Sequence, residues 1–431
     1  MYKVSVITLG CAKNLVDSER IVSLLEQSGM QYIENAEKAD AIVINTCGFI
    51  GDAKKESIEV ILDAATLKQK GKLDKLIVAG CLSERYKNDL SSQIPEVDAF
   101  FGVNQFPDII KSLEPHFNYQ FSYGRHLLTP SHFAYVKISD GCSHKCSFCA
   151  IPLIKGKHLS RSEEEIVTEA ETLVSNGVRE IILIAQDSTY YGMDIYQQRR
   201  LPQLVERLSD IPNLKWLRIM YLFPLNFPWH LIEIMSERKN ICNYIDIPLQ
   251  HVSERILSSM QRPIPKMELF KMIARFRKLI PDIALRSTFI TGYPGETQAE
   301  HKELMDFLAE AQLDRVGVFK YSQEENTNAF SLKDNVPAKT KEKRLEELML
   351  LQQEISLKKN KLLIGSTKKV KIDFEEKDHY LCRSQHEAPD IDIGIILKKT
   401  EKAKPGDFLE IKVTNAEAYD IYGDIISINK G

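Results

Sequence analysis

The stretch from Phe133 to Cys149, FAYVKISDGCSHKCSFC, decides the fold. Its first half, Phe133–Ser139, is an apolar and aromatic run that reads as a strand. Its second half sets Cys142, Cys146 and Cys149 within eight residues, a C-x3-C-x2-C loop with the aromatic Phe148 before the last cysteine. Three thiolates so close can hold three irons of a four-iron cluster and leave the fourth iron open to a ligand. A structural zinc site would need a fourth ligand to close its tetrahedron, and His144 or His158 could supply it.

Downstream of this loop the strand-then-helix pattern recurs six times. The strands read Phe133–Ser139, Glu180–Gln186, Trp216–Leu222, Tyr244–Leu249, Leu285–Thr291 and Arg315–Tyr321. Helical patterns fill the gaps at Glu163–Ser175, Leu201–Leu208, Met267–Leu279 and Gln298–Glu310. Eight such units close a barrel of ~250 residues. Six predict an open, partial (β/α)6 barrel whose mouth admits a large substrate. Polar runs follow the strand ends, at Gln186–Thr189, Gln250-His251 and Thr291–Glu296, the face where parallel barrels place active sites.

Upstream, three apolar runs each end at a cysteine with a glycine beside it: Val4–Gly10 before Cys11, Ala41–Thr46 before Cys47-Gly48, and Leu76–Gly80 before Cys81. Helical patterns at Leu15–Ser28 and Ala53–Lys70 lie between them. Strand–helix–strand alternation implies a parallel sheet, whose sites form beyond the carboxyl ends of its strands. Three thiols are therefore aimed at one sheet edge, as ligands of a shared metal or cluster. Cys242 and Cys382 stand alone and read as small buried hydrophobes.

Beyond the barrel, Lys339–Leu363 reads as a charged packing helix with no site role. Short alternating strands follow, with turns at Lys404–Asp407 and Tyr422–Asp424, giving a small antiparallel β-barrel. Its residues 362–431 carry 11 Lys/Arg and 13 Asp/Glu, whereas a module for phosphate backbones should be basic. The 431-residue chain as a whole is ordinary: 43% hydrophobic, 27% charged, net charge −3 and 8 Cys. That excludes a disordered or fibrous chain and a disulfide scaffold. No apolar run approaches the ~20 residues that span a bilayer, so a cytoplasmic protein with no membrane partner is expected.

The C-x3-C-x2-C loop with Phe148 at the head of a partial barrel resembles the radical S-adenosylmethionine superfamily. A three-cysteine α/β domain before it and a small β module after it resemble the methylthiotransferases over essentially the whole chain. The resemblance divides the chain into an auxiliary-cluster domain (1–125), a radical barrel (126–338), a linker helix (339–361) and a TRAM-like β domain (362–431). Thr8–Glu19, TLGCAKNLVDSE, and Ile184–Gly192, IAQDSTYYG, resemble the RimO-type branch, which modifies a ribosomal protein. The tRNA-modifying branch, the MiaB type, usually has Gln-Met where Ala12-Lys13 stands here. After the sixth strand the family expects a Ser-x-Glu-x-Gly-Thr-like run, and Asn326 occupies the glycine position.

The resemblance implies two 4Fe-4S clusters and S-adenosylmethionine. Cys142, Cys146 and Cys149 would hold the cluster that binds S-adenosylmethionine and cleaves it to a 5′-deoxyadenosyl radical. Phe148 would pack near the adenine, and Gly292 to Glu296 would line the nucleoside. Cys11, Cys47 and Cys81 would hold an auxiliary cluster that carries sulfur. The implied substrate is the β-carbon of an aspartate in small-subunit ribosomal protein number twelve, free or on the ribosome, with Arg161 and Arg286 as candidates to orient its carboxylate and an electron donor as partner. Two alternatives stay open: the same chemistry on a tRNA adenosine, which Ala12-Lys13 and the charge of the β module argue against, and a non-radical iron–sulfur or zinc protein.

Overall fold

The computed structural model describes residues 1–118 and 125–429. Residues 119–124 and 430–431, at the ends of the first and last expected segments, lie outside the described residues. The chain opens with a five-stranded parallel sheet of Lys3–Thr8 (β1), Gln31–Tyr32 (β2), Ala41–Thr46 (β3), Lys75–Gly80 (β4) and Ala99–Phe100 (β5), in the order β2-β1-β3-β4-β5. Every residue of β3 is buried, as expected of a central strand covered on both faces. The covering helices are Ala12–Gln27 (α1) and Gly51–Gln69 (α2), near the predicted bounds. Cys81–Gln93 (α3) starts at Cys81 itself, so the third cysteine is the first residue of a helix that the sequence reading did not anticipate.

The six predicted barrel strands are present. Phe133–Lys137 (β6) is followed by a short hairpin, Ser139–Asp140 (β7) with Leu159–Ser160 (β8), so the first strand is shorter than expected. Glu180–Ile184 (β9) and Trp216–Ile219 (β10) join β6 in one parallel sheet. Tyr244–Asp246 (β11), Ala284–Thr291 (β12) and Arg315–Lys320 (β13) form a second. A bridge between Leu217 and Ile241, with the Leu222 N–H donating to the Asp246 carbonyl, connects the two halves. The helices outside are fixed by sequence-local devices, including capping boxes at Ser162/Glu165 and Thr297/Glu300. Among the described residues no helix is long and apolar enough to cross a membrane.

Helix Ala338–Lys361 leads from the barrel to a closed barrel of Thr367–Glu375 (β14), His379–Ser384 (β15), Gly394–Lys398 (β16), Phe408–Ala416 (β17) and Asp420–Asn429 (β18). Four of its pairings are antiparallel, as expected, whereas β16 and β18 run parallel. This module seals the amino-terminal end of the six-stranded barrel. Phe408 packs edge-on against Trp216, the first residue of β10. Beside them Glu180, fully buried at the start of β9, takes Arg218 (3.0 Å), Lys371 (2.5 Å) and Arg383 (2.8 Å). The opposite, carboxyl-terminal mouth of the barrel faces the first sheet.

Candidate functional site

The first cysteine triad converges. Gly10, at φ +92°, lies so close to Cys47 that a Cβ there would fall 2.9 Å from its Sγ. A Cβ on Gly48 would fall 2.7 Å from the Leu82 Cα, so the loop of Cys47 rests on the start of α3 at Cys81. Asn14 ties the loops together. Its side-chain amide donates to the Leu9 carbonyl (2.9 Å) and the Thr46 carbonyl (3.0 Å), and its Oδ1 lies 3.7 Å from the Cys81 Sγ. Burial pushes the Cys81 thiol up to about 12, with Lys155 pulling the other way and Cys11 and Cys47 adding to the rise. Burial also raises Cys47. Cys11 is exposed, so the triad opens to solvent on that side.

The second triad sits in the loop after β7. The Cys149 N–H donates to the Cys146 carbonyl (3.1 Å), the Cys142 N–H to Gly156 (3.1 Å), and the Ser147 N–H to Met260 (3.0 Å). Arg262, absent from the sequence reading, places its guanidinium 3.5 Å from the Cys146 Sγ and 4.2 Å from the Phe223 ring centroid. Burial raises Cys142 to about 11 and Cys149 to about 12. Ligation by iron must therefore displace protons, and a neighbouring cation favours the thiolate. Phe148 packs against the barrel core.

The two triads are neighbours. Helix Ile151–Lys155 follows Cys149, and Ala150 and Ile154 pack directly on Cys81. A clamp built from the Asp17-Ser18-Glu19 run of α1 holds this junction: Asp17 binds Lys137 (2.5 Å) and Lys155 (3.2 Å), Ser18 takes Asn45 (3.0 Å), and Glu19 meets Arg125 (2.8 Å). On the far side Glu324 accepts from Arg85 (2.8 Å) and Lys54 (2.9 Å). Asn326 takes φ +62°, a conformation glycine reaches freely and asparagine tolerates, so the departure from the expected glycine leaves the loop intact.

At the mouth, Gly292 N–H donates to Glu296 Oε2. Glu296 Oε1 and His251 Nε2 are buried 3.8 Å apart, and neither has a hydrogen-bond partner. Arg344 lies 3.5 Å from that Glu296 oxygen, so His251 Nε2 is the group a polar ligand would satisfy. The helix expected to have no site role reaches this loop: Arg344 donates to the Glu296 carbonyl (3.1 Å), and a Cβ on Gly292 would strike the Lys341 stem. Arg161 and Arg286 are already committed, to Glu169 (2.6 Å) and to Asp246 (2.8 Å).

The donor chemistry suits iron–sulfur ligation better than a zinc tetrahedron. His144 Nε2 lies 2.6 Å from Asp187 with its ring stacked on Phe223, and His158 Nε2 lies 3.0 Å from Ser160. Both candidate fourth ligands are thus engaged elsewhere.

Three segments match known families: residues 3–102 the uncharacterized protein family UPF0004, 136–308 the radical SAM superfamily, and 364–426 the TRAM domain. The chain is 44% identical over 427 residues to the ribosomal protein uS12 methylthiotransferase RimO of Phocaeicola vulgatus, covering 98% of this chain and 99% of that one. It is 45% identical to the RimO of Flavobacterium psychrophilum, covering 98% of each. This chain belongs to the RimO family. RimO membership makes it a radical S-adenosylmethionine methylthiotransferase, with a 4Fe-4S cluster and S-adenosylmethionine as cofactors. Among solved structures, the radical S-adenosylmethionine methyltransferase TsrM from Kitasatospora setae matches with TM-score 0.55 and 12% identity, covering 76% of this chain and 77% of that one. The cobalamin-dependent radical enzyme OxsB matches with TM-score 0.53 and 13% identity, over 82% of this chain and 56% of that one. Both likenesses concern the fold alone.

Proposed function

We propose that this RimO-family chain adds a methylthio group to the β-carbon of an aspartate in ribosomal protein uS12. The observation that supports it most is the adjacency of the two cysteine triads, with Cys81 packed on the helix that follows Cys149. In this reading Cys142, Cys146 and Cys149 hold one 4Fe-4S cluster, and Cys11, Cys47 and Cys81 hold a second. Such clusters supply an electron for S-adenosylmethionine cleavage and a site for sulfur. The protein's own part is geometric. Arg262 donates to the Cys146 sulfur and its charge favours the thiolates of Cys142 and Cys149, Asn14 fixes the three loops of the first triad, and the Gly292–Glu296 loop with His251 receives the polar end of the nucleoside. Phe148 lends the apolar wall at that end.

The division of labour follows residues 1–125 for the sulfur site, 126–338 for the radical barrel, 339–361 for the connecting helix and 362–431 for the β module. The neutral-to-acidic β module suits a basic ribosomal protein better than tRNA. The reaction belongs to the cytoplasm, where thiols stay reduced and an electron donor is at hand.

The test is an anaerobic turnover read by mass spectrometry. Loaded enzyme, S-adenosylmethionine, reductant and sulfide are offered uS12 and unmodified tRNA in one tube. A methylthio mass gain on an aspartate-containing uS12 peptide is expected. A gain only on an adenosine would transfer the chain to tRNA chemistry.

A further inference from the structure

Lys13 lies in the first turn of α1, two residues from Cys11, and is only 8% exposed. Its Nζ sits 3.3 Å from the centroid of the Tyr221 ring. Tyr221 follows β10 at the carboxyl-terminal mouth of the barrel, so this cation of the first domain is aimed into the space where the barrel acts.

The surrounding charges are already spoken for. Asp246, the acid at the end of β11, accepts from the Tyr221 N–H (3.1 Å) and from Arg286 (2.8 Å). Asp17 is taken by Lys137 and Lys155, and Glu19 by Arg125. Arg20, Arg125, Lys137 and Lys155 at this junction each have a carboxylate partner, and among the described residues Lys13 forms an ion pair with none. Tyr221 is itself held at φ +60°, outside the range usual for a bulky residue. Backbone strain and a buried ammonium with no carboxylate bound to it coincide at one point of the mouth, as happens where a ligand completes the arrangement.

We infer that Lys13 is a positioning residue that takes the carboxylate of the substrate aspartate. This rests on the proposed aspartate substrate. The chemistry fits the reaction. The β-carbon is bonded directly to the carboxylate carbon, so a cation that fixes the two oxygens also fixes the reacting carbon, one bond away. Lys13 and Cys11 share the start of one helix, which sets the anchored carbon and the sulfur side of the site in a constant relation. Arg161 and Arg286 lack this freedom, since each is bound to a carboxylate of the chain.

The test measures binding by loaded enzyme with S-adenosylmethionine and no reductant. The probes are recombinant uS12 and the same protein with its target Asp changed to Asn. Wild type is expected to prefer the Asp form by about ten- to a hundredfold, the range for a hydrogen bond to a charged group. Lys13→Gln should bind the two forms alike, with the Asn form held as by wild type, and Lys13→Arg should restore the preference. A merely structural role would weaken both probes together and leave the ratio unchanged. The proposal is overturned if wild type shows no preference or if Lys13→Gln keeps it. Wild type that binds neither form overturns the substrate reading itself, and the proposal with it.

Discussion

Asp17 of α1 accepts a 2.5 Å hydrogen bond from Lys137 at the end of β6, so one acidic side chain of the first sheet domain is inserted into the barrel. Burial would raise its carboxyl, but Lys137 and Lys155 outweigh that and hold it down to about 2. Asp17→Asn leaves Lys137 with Asp140 (2.6 Å) and removes the carboxylate that Lys155 meets. The expected cost is on the order of 3 kcal/mol at neutral pH, read as a lowered melting temperature. Because the folded value lies below the ordinary 3.8, the pair stabilises fully above that value and its contribution fades as pH falls towards 2. The gap in stability between wild type and Asp17→Asn should therefore close between about pH 4 and 2. A gap constant over that window would show that the ionised pair is not what holds the junction.

Glu180 occupies the opposite end of the barrel. Burial opposes its ionisation, yet Arg383, Lys371 and Arg218 hold its carboxyl well below the usual range. Glu180→Gln would leave those cations buried, with Asp373 the remaining acid in contact with Lys371 and Arg383. A loss of about 3–5 kcal/mol is expected. The β module should also become more accessible to protease, since Lys371 and Arg383 are its side of the contact. A melting temperature within a degree or two of wild type would mean that apolar packing around Phe408 and Trp216 carries the junction alone.

The cysteine loops were legible because ligand spacing is a local property. C-x3-C-x2-C needs no tertiary knowledge, and three strand ends carrying Cys and Gly betray a parallel sheet by alternation alone. What escaped was long-range. Arg262 reaches Cys146 from 116 residues away, and no periodicity marks it. The charged pattern of Lys339–Leu363 reads as a packing helix with no site role, yet Arg344 and Lys341 are buried against the Gly292–Glu296 loop. Arg161 and Arg286 stand in the sequence as candidates to orient a carboxylate because their partners, Glu169 and Asp246, lie on other elements. The parallel β16–β18 pair was missed for a related reason: strand alternation does not encode the direction in which distant strands meet.

Gly10 offers a way to disturb one triad alone. Alanine at φ +92° costs about 1–2 kcal/mol of backbone strain, and its methyl would press on the Cys47 Sγ. Gly10→Ala is expected to fold, to keep cleaving S-adenosylmethionine to 5′-deoxyadenosine, and to lose transfer of sulfur. Anaerobically reconstituted protein should hold about four irons per chain in place of about eight. Full iron content with unimpaired transfer would mean that the first triad tolerates a Cβ at its centre, and that the close approach of these loops is not a requirement of the site.

The two triads should separate cleanly by mutation. Cys47 belongs to a triad opening to solvent through Cys11, whereas Cys146 lies in the loop beneath the barrel mouth, touched by Arg262. If cleavage of S-adenosylmethionine depends on the second triad and sulfur on the first, Cys47→Ala keeps 5′-deoxyadenosine formation and abolishes methylthio transfer. Cys146→Ala abolishes both. Chromatography of 5′-deoxyadenosine and mass spectrometry of uS12 read the two halves in the same reaction. Both thiols are replaced by the same small side chain, so general damage should affect the two variants alike, and only a division of roles yields the asymmetry. Loss of transfer alone in both variants would reverse the assignment of Cys142, Cys146 and Cys149 to radical generation.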